Sequence, residues 1–386
     1  MNLIDKFIIR KKIKKKFIKL FKNAILNKKK KNIILLEFNN WTFPHIGSSY
    51  VCDILSKKYQ AKIEAFSGYQ LIRSDLDQNF IKKLLWKIGN LLSLKSFGIY
   101  KSFGVTRIFW PKINKIINIK AYEEFRKYNH KVKSKEDLEN YKIKNILIGD
   151  LIYDSYLKKK LYPTIDINSS EFKNFFLDSL KLFFYWENYF KYNTISSAVL
   201  YHSVYLSALP LRFSISKKIP TYIINIEKLY SLNAKRYFYG LEYLNYKKIF
   251  NSFSNRQKKK NLELGKMKLL NRFNGNLSSD MMYTSKTAFG KTTGKRVLKK
   301  TKRLKILIAP HSFSDTPHAF GNNFFPDHYE WLESLGKISN KTQYDWYIKC
   351  HPDYTSYFDN TISIVKKFVK KYPKIIYLNS NTSHNQ

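Results

Sequence analysis

In open parallel sheets, ligands bind at the carboxyl ends of the strands, so polar residues that directly follow apolar, strand-like runs are where this sequence could do chemistry. They are Asn39, Asn40 and His45; Asp150, Tyr153 and Asp154; His202; His311 with Ser312; and His351 with Pro352 and Asp353. In Lys349-Cys-His-Pro-Asp353 a histidine stands beside a lysine and is stiffened by the proline that follows. Such a pair can hold a phosphate oxygen by charge-assisted hydrogen bonding, although His351 could instead only cap its strand. Asp150 and Asp154 are spaced to share one face if their segment turns into a helix, and one could then act as a general base toward a hydroxyl. A capping aspartate with a surface partner is the other reading of that pair. His202, after Val199-Leu200-Tyr201, is a second candidate base. Pro310-His311-Ser312 opens a long loop that also holds His318 and Asn322, but the histidine spacings match no compact metal motif, so no metal is expected. Gly290-Lys-Thr-Thr-Gly-Lys295 imitates a phosphate loop. It lacks the required spacing, the following Ser or Thr, and a preceding strand.

The elements that must position these residues alternate. Residues 32–38 form a short apolar run, followed by a helical stretch over 47–59 and a second strand over 61–66; this is a βαβ unit and predicts a parallel sheet. Helical segments follow near 79–92 and 111–128, and the apolar run 145–149 predicts a further strand ending at Asp150. Ser169 and Ser170 precede a long amphipathic helix reaching Phe190. Strands at 196–201 and 221–225 and a Lys-rich helical stretch to about 273 complete this region. Residues 274–303 are rich in Gly, Ser, Thr and Lys without apolar periodicity and read as a linker. A new alternation starts at Leu304, with strands at 304–309, 345–350 and 374–378. The expected organisation is a basic arm (1–29), an α/β domain (30–273), a linker (274–303) and a second α/β domain (304–386) that stops before it is complete.

The 386-residue chain has the composition of a globular protein, 44% hydrophobic and 17% aromatic. Cys52 and Cys350 make no disulfide framework and point to a reducing compartment. The formal charge of +43 is mostly Lys, in company with abundant Asn, Ile, Phe and Tyr, the profile of an AT-rich coding sequence. It attracts polyanions without choosing among nucleic acid, anionic lipid and sugar nucleotides. Ile9, Ile13, Phe17, Leu20 and Ala24 fall on one helical face of the arm while lysines crowd the rest, a pattern suited to an anionic bilayer surface or to a basic helix packed on its own domain. No apolar run is long enough to span a bilayer; the best, 195–211, contains His202 and Pro210.

The order of Gly149-Asp-Leu-Ile-Tyr-Asp-Ser-Tyr156, Leu200-Tyr-His-Ser-Val-Tyr205, Ile308-Ala-Pro-His-Ser312 and Lys349-Cys-His-Pro352 resembles bacterial capsule and surface-polysaccharide glycosyltransferases of the two-domain GT-B fold, including the His-Pro-motif sialic acid and Kdo transferases. The resemblance implies two Rossmann-like parallel-sheet domains and metal-independent transfer of a sugar from a nucleotide donor to a glycan or lipid-linked acceptor, with no cofactor. The cysteine usage and the basic arm point to a cytoplasmic protein, peripheral at the inner face of the plasma membrane. His351 would contact the donor phosphate together with Lys349 and Pro352, and His311 and Ser312 would line the same donor site. Asp150, Asp154 or His202 would serve the acceptor side. In that family a Ser/Thr- or Gly-rich turn and an acidic residue for the nucleotide follow later; here the sequence reaches Thr382-Ser-His-Asn-Gln386 first. Weak donor binding by the chain as written is therefore expected. Polyol-phosphate transferases of similar fold and a non-catalytic polysaccharide assembly or export factor are the alternatives. A nucleic-acid-binding protein is favoured by charge alone, since no zinc finger, helix-turn-helix or aromatic-basic RNA signature is present.

Residues 1–28 should bind vesicles containing anionic lipid and detach at high salt, each lysine near the surface contributing about 1 kcal/mol that salt screens. Equal binding to neutral vesicles in a sedimentation assay would exclude this electrostatic mechanism.

Overall fold

The computed structural model describes residues 19–40, 44–67, 80–224, 229–234, 245–277, 284–290, 296–319, 323–355 and 360–385. The chain is α/β and divides into two compact units, Met1–Lys159 with Asp166–Tyr239, and Lys160–Ile165 with Gly240–Gln386. Residues 240–273, read from sequence as the tail of the first domain, group with the second unit.

The first unit is built on a six-stranded sheet of β1 (Ile33–Phe38), β2 (Lys62–Ser67), β3 (Val105–Phe109), β6 (Ile195–Leu200), β7 (Thr221–Ile224) and β8 (Leu229–Leu232). Its order is β3-β2-β1-β6-β7-β8, parallel except for β8, which runs antiparallel to β7. All six residues of β1 are buried, as expected of a central strand with both faces covered. The edge strands β3 and β8 escape the sequence pattern because solvent-facing Thr106, Arg107 and Ser231 interrupt any apolar run.

The segment before Asp150 differs from expectation. Ile146–Leu147 (β5) does not join the sheet but pairs antiparallel with Lys142–Ile143 (β4). Lys144 and Asn145 turn the corner with φ of 49° and 64°, the geometry of a two-residue type I′ hairpin. Asp150 therefore lies in the first turn of the Gly149–Lys160 helix rather than at the end of a sheet strand.

The Ser170–Tyr192 helix starts where its signal stands, with the Ser169 hydroxyl accepting from the Phe172 amide at 3.2 Å. Its buried face of Phe172, Phe176, Phe183, Trp186 and Tyr189 meets Tyr128, Phe66, Phe109 and Phe213 in edge, tilted and stacked ring contacts. The basic arm is shorter than its sequence boundary. Phe21 and Ala24 are buried in the core beside β1 and β2, and Asp53 accepts from the Ala24 amide at 3.0 Å and the Asn23 side chain at 2.8 Å. Ala24 thus faces protein. Residues 1–18, with Ile9, Ile13 and Phe17, lie outside the described residues.

The second unit carries a parallel three-stranded sheet, ordered β11 (Ile375–Leu378), β10 (Asp345–Lys349), β9 (Lys305–Ile308). The helices His328–Lys341 and Thr361–Lys371 bury Leu332, Val365 and Phe368 against Trp346, Ile348 and Cys350. Asp327 caps the first of these helices, accepting from the Tyr329 and Glu330 amides at 2.9 and 2.8 Å. The helices Tyr246–Ser252 and Asn255–Phe273 bury no residue. Of the phosphate-loop imitation, residues 291–295 lie outside the described residues. Among the described residues no helix is long and apolar enough to cross a membrane.

A Cβ at Gly149 would sit 1.6 Å from the Leu138 carbonyl oxygen, a backbone atom that cannot swing away. Gly149→Ala should therefore destabilise the first unit by about 3 kcal/mol or more in denaturant titration. Gly265→Ala, on a helix position with nothing within 4 Å, should instead stabilise by about 0.5–1 kcal/mol.

Candidate functional site

In the first unit the chain moves from β1 outward to β2 and β3, then returns to lay β6 and β7 on the other side of β1. The carboxyl ends of β1 and β6 therefore flank a topological switch point, where such sheets bind ligands. Glu37, Asn39, Tyr201 and His202 occupy it.

Glu37 is fully buried, and both its oxygens are engaged by the turn after β6. One accepts from the Tyr201 and His202 amides at 2.8 and 3.1 Å; the other lies 2.5 Å from His202 Nδ1. A proton on Nδ1 directed at the carboxylate leaves Nε2 as the ring nitrogen available for chemistry, the arrangement by which a carboxylate orients a histidine base. The His202 side chain retains 17% exposure, so it can meet a ligand. Burial is the largest single influence on this imidazole and lowers its pKa; the charge and hydrogen bond of Glu37 together outweigh it, and the net shift is upward.

Around the dyad the Tyr100 hydroxyl receives the Asn39 amide at 2.9 Å, lies 3.1 Å from the Tyr201 hydroxyl and donates to the Glu37 carbonyl at 3.3 Å. Tyr201 in turn hydrogen-bonds Ser48. His45 is buried with Nε2 3.0 Å from the Asn39 carbonyl, while its Nδ1 has no hydrogen-bond partner among the described residues. Burial lowers its pKa, against the opposing hydrogen bond to the Asn39 carbonyl.

Asp150 and Asp154 lie one turn apart on a single helix, as their spacing predicts, and both are buried. The Asp150 carboxylate is bound to Arg212 at 2.6 Å, and Arg212 also donates to the Leu147 carbonyl at 3.1 Å. This pair ties the helix to the β5 hairpin and the Leu209–Ser216 helix. Next to Asp154, the Ser155 hydroxyl accepts from the Leu206 amide at 2.8 Å, which joins the same helix to the loop that follows His202.

In the second unit His311 and Ser312 follow β9, and Lys349, His351 and Pro352 end β10 and begin the turn after it. The Asp353 amide donates to His351 Nδ1 at 3.2 Å, so Nδ1 carries no proton and the N–H of the ring is at Nε2. The Asp353 carboxylate lies 3.6 Å from Nδ1 but is held by the Ser285 amide and hydroxyl at 3.0 and 2.6 Å. With Nδ1 accepting, the His351–Asp353 approach is not an ion pair. Burial lowers the His351 pKa first, Asp353 opposes, and Lys349 and Arg272 add to the lowering.

Lys349 is 2% exposed, and its Nζ has no hydrogen-bond partner among the described residues. Burial depresses its pKa. It lines a cavity of about 80 Å³ with Leu307, Tyr347, Thr382, Ser383 and His384. His384 is lowered by burial and by the charges of Lys349 and His351. An anion entering here would oppose the lowering of the Lys349 and His384 pKa by burial. His311 stands at ring-contact distance from His328, 5.2 Å, and His328 is pushed down to about 4 by burial and then by His311. Among the described residues no cluster of His, Cys, Asp and Glu could hold a metal ion.

Sequence reading finds His202, Lys349 and His351 but misses Glu37, Arg272 and His384. Glu37 had a signal: it is the only charged residue in the Ile33–Phe38 run. Arg272 and His384 had none, because only the tertiary fold brings them to Lys349 and His351.

Because the folded pKa of His202 exceeds its ordinary value, protonated His202 stabilises the fold fully below about pH 6.5, and the contribution is lost as pH rises through the folded pKa. The stability difference between the native chain and His202→Gln should thus shrink from pH 5.5 to pH 8.5 in urea titrations. Glu37→Gln should remove this pH dependence and cost about 1.5–3 kcal/mol.

Comparison with protein-family models, with curated proteins and with solved structures finds no match to this chain.

Proposed function

We propose that this chain is a glycosyltransferase of the GT-B type, with a Rossmann-like domain in each unit, that moves a sugar from a nucleotide donor to a growing surface polysaccharide such as capsule or lipopolysaccharide. The observation that carries the reading is the Glu37–His202 dyad at the switch point of a parallel sheet. Numbered by sequence within the sheet, the strand order is 3-2-1-4-5-6, the doubly wound order, with only the last strand reversed.

On this reading His202 Nε2 takes the proton from an acceptor hydroxyl as its oxygen attacks the anomeric carbon. The bond from that carbon to the donor phosphate breaks, and the nucleotide leaves with the bonding electrons. Within the second unit, His351 Nε2–H and Lys349 would bind the phosphate of a nucleotide donor. Glu37 holds the base in the required tautomer and stabilises the imidazolium after proton transfer. Asp150, engaged by Arg212, acts by positioning its helix. The protein would work on the cytoplasmic side, peripheral to the plasma membrane, on a glycan or lipid-linked acceptor.

Nucleotide release from a panel of CMP-, UDP- and GDP-sugars, with oligosaccharide or lipid-linked acceptors, tests this directly. His202→Ala should lower kcat by about 10²–10⁴-fold. His351→Ala should act mainly on donor affinity. Turnover that survives His202→Ala unchanged would remove the dyad from the mechanism.

A further inference from the structure

Strand alternation and pairing register divide the side chains of the second sheet between its two faces. Trp346, Ile348 and Ile375 point into the core that the His328–Lys341 and Thr361–Lys371 helices cover. Leu307, Tyr347, Lys349 and Leu378 lie on the opposite face. That face is covered by irregular chain. Val297, Leu298, Thr382, Ser383 and His384 close over it around the cavity of about 80 Å³. Hydrogen bonds hold both covering segments: the Lys299 amide donates to the Tyr347 hydroxyl at 2.9 Å, and the His384 amide to the Ala288 carbonyl at 2.9 Å.

Lys349 is enclosed there, with no hydrogen-bond partner for Nζ among the described residues. A buried amine in that state is costly unless a ligand or a chemical change supplies its partners. Burial lowers its pKa, which favours the neutral amine, whose lone pair is a nucleophile.

Two features specify the reagent. The wall is largely apolar, from Val297, Leu298, Leu307, Tyr347 and Leu378, and admits a small uncharged molecule. At the same wall Thr382, Ser383 and His384 bring hydrogen-bonding side chains. Cations surround the site as well. At His351 and His384 burial lowers the pKa first; Lys349 with Arg272, and Lys349 with His351, add to that lowering, while Asp353 opposes it at His351. A negative charge formed on Nζ would relieve this repulsion. Carbon dioxide enters uncharged and becomes an anion on the nitrogen, so it meets both conditions.

We propose that Lys349 is a carboxylation site, whose Nζ adds carbon dioxide to form a carbamate enclosed by Thr382, Ser383 and His384. The nitrogen lone pair forms the bond to carbon, one π pair of the carbon dioxide moves onto oxygen, and one amine proton leaves to solvent. The carbamate oxygens then accept the hydrogen bonds that an amine cannot. A donor phosphate would compete for the same nitrogen, but the proposal does not rest on the transferase reading.

The test incubates the full chain at pH 8 with carbon-13 bicarbonate, traps carbamates as ethyl esters with triethyloxonium, and maps them by peptide mass spectrometry. The labelled adduct should sit on Lys349, with little on exposed lysines such as Lys259 and Lys266. Lys349→Arg should remove it. Thr382→Val with His384→Phe, which leaves the amine in place, should lower the trapped fraction roughly fivefold or more, the worth of one or two hydrogen bonds. No adduct on Lys349 of the native chain, or one no more abundant than on Lys259 and Lys266, would overturn the proposal. So would calorimetric binding of inorganic phosphate that Lys349→Arg abolishes while no adduct forms, which would assign the cavity to a free anion.

Discussion

The first unit depends on how one buried carboxylate is satisfied. Glu37 interrupts the most deeply buried strand of the sheet, where an unpaired charge would be prohibitive. Its partners are two successive amides and a ring nitrogen, all from the turn that ends β6. Satisfying Glu37 therefore fixes where β6 stops beside β1, the course of the chain through Tyr201 and His202, and the rotamer and tautomer of His202. The same contacts that make the carboxylate tolerable aim a histidine out of the switch point. Structural need and chemical capacity are met by one set of hydrogen bonds.

Carboxylates are scarce throughout the chain, 28 against 71 Lys and Arg, and those present are shared. Glu64 serves Lys62 and Arg107, Glu124 serves Lys127 and Lys131, and Glu187 serves Lys120 and Lys144. Glu64 and Glu124 are themselves buried, with partly exposed cations as partners. Their importance lies in what they leave over. At the end of β10, Lys349 Nζ has no hydrogen-bond partner among the described residues, and Asp353 beside His351 is occupied by Ser285. The two sites are electrostatic opposites. The carboxylate at the switch point is held by its partners, whereas in the second unit burial first lowers the pKa of Lys349, His351 and His384, and neighbouring cationic groups add to the lowering at the two histidines.

Much of the element order is legible in the sequence because it rests on local physics. The apolar runs of β1, β6 and β10 mark buried parallel strands, and Ser169 marks a helix start by the bond its side chain makes. Strand-end position sufficed to single out His202 and His351, since a residue leaving a buried strand must face the ligand edge of the sheet. Where apolar pattern and neighbourhood part company, the sequence misleads. Residues 146–147 look like a sheet strand but turn back on residues 142–143 through two left-handed residues. Ala24, on the apolar face of the basic arm, is buried in the core, which fits the packed-helix reading of that arm.

The sequence by itself determined the α/β alternation, most helix starts and the candidate histidines, because propensity, capping and hydrophobic period act over a few neighbouring residues. Only the tertiary structure decided that Glu37 holds His202 from 165 positions away, that Arg212 engages Asp150 from 62, and that the leucines of the Phe80–Leu91 helix face outward. Each of these turns on which distant group satisfies a buried charge or covers an apolar surface, and a linear pattern carries no record of that choice.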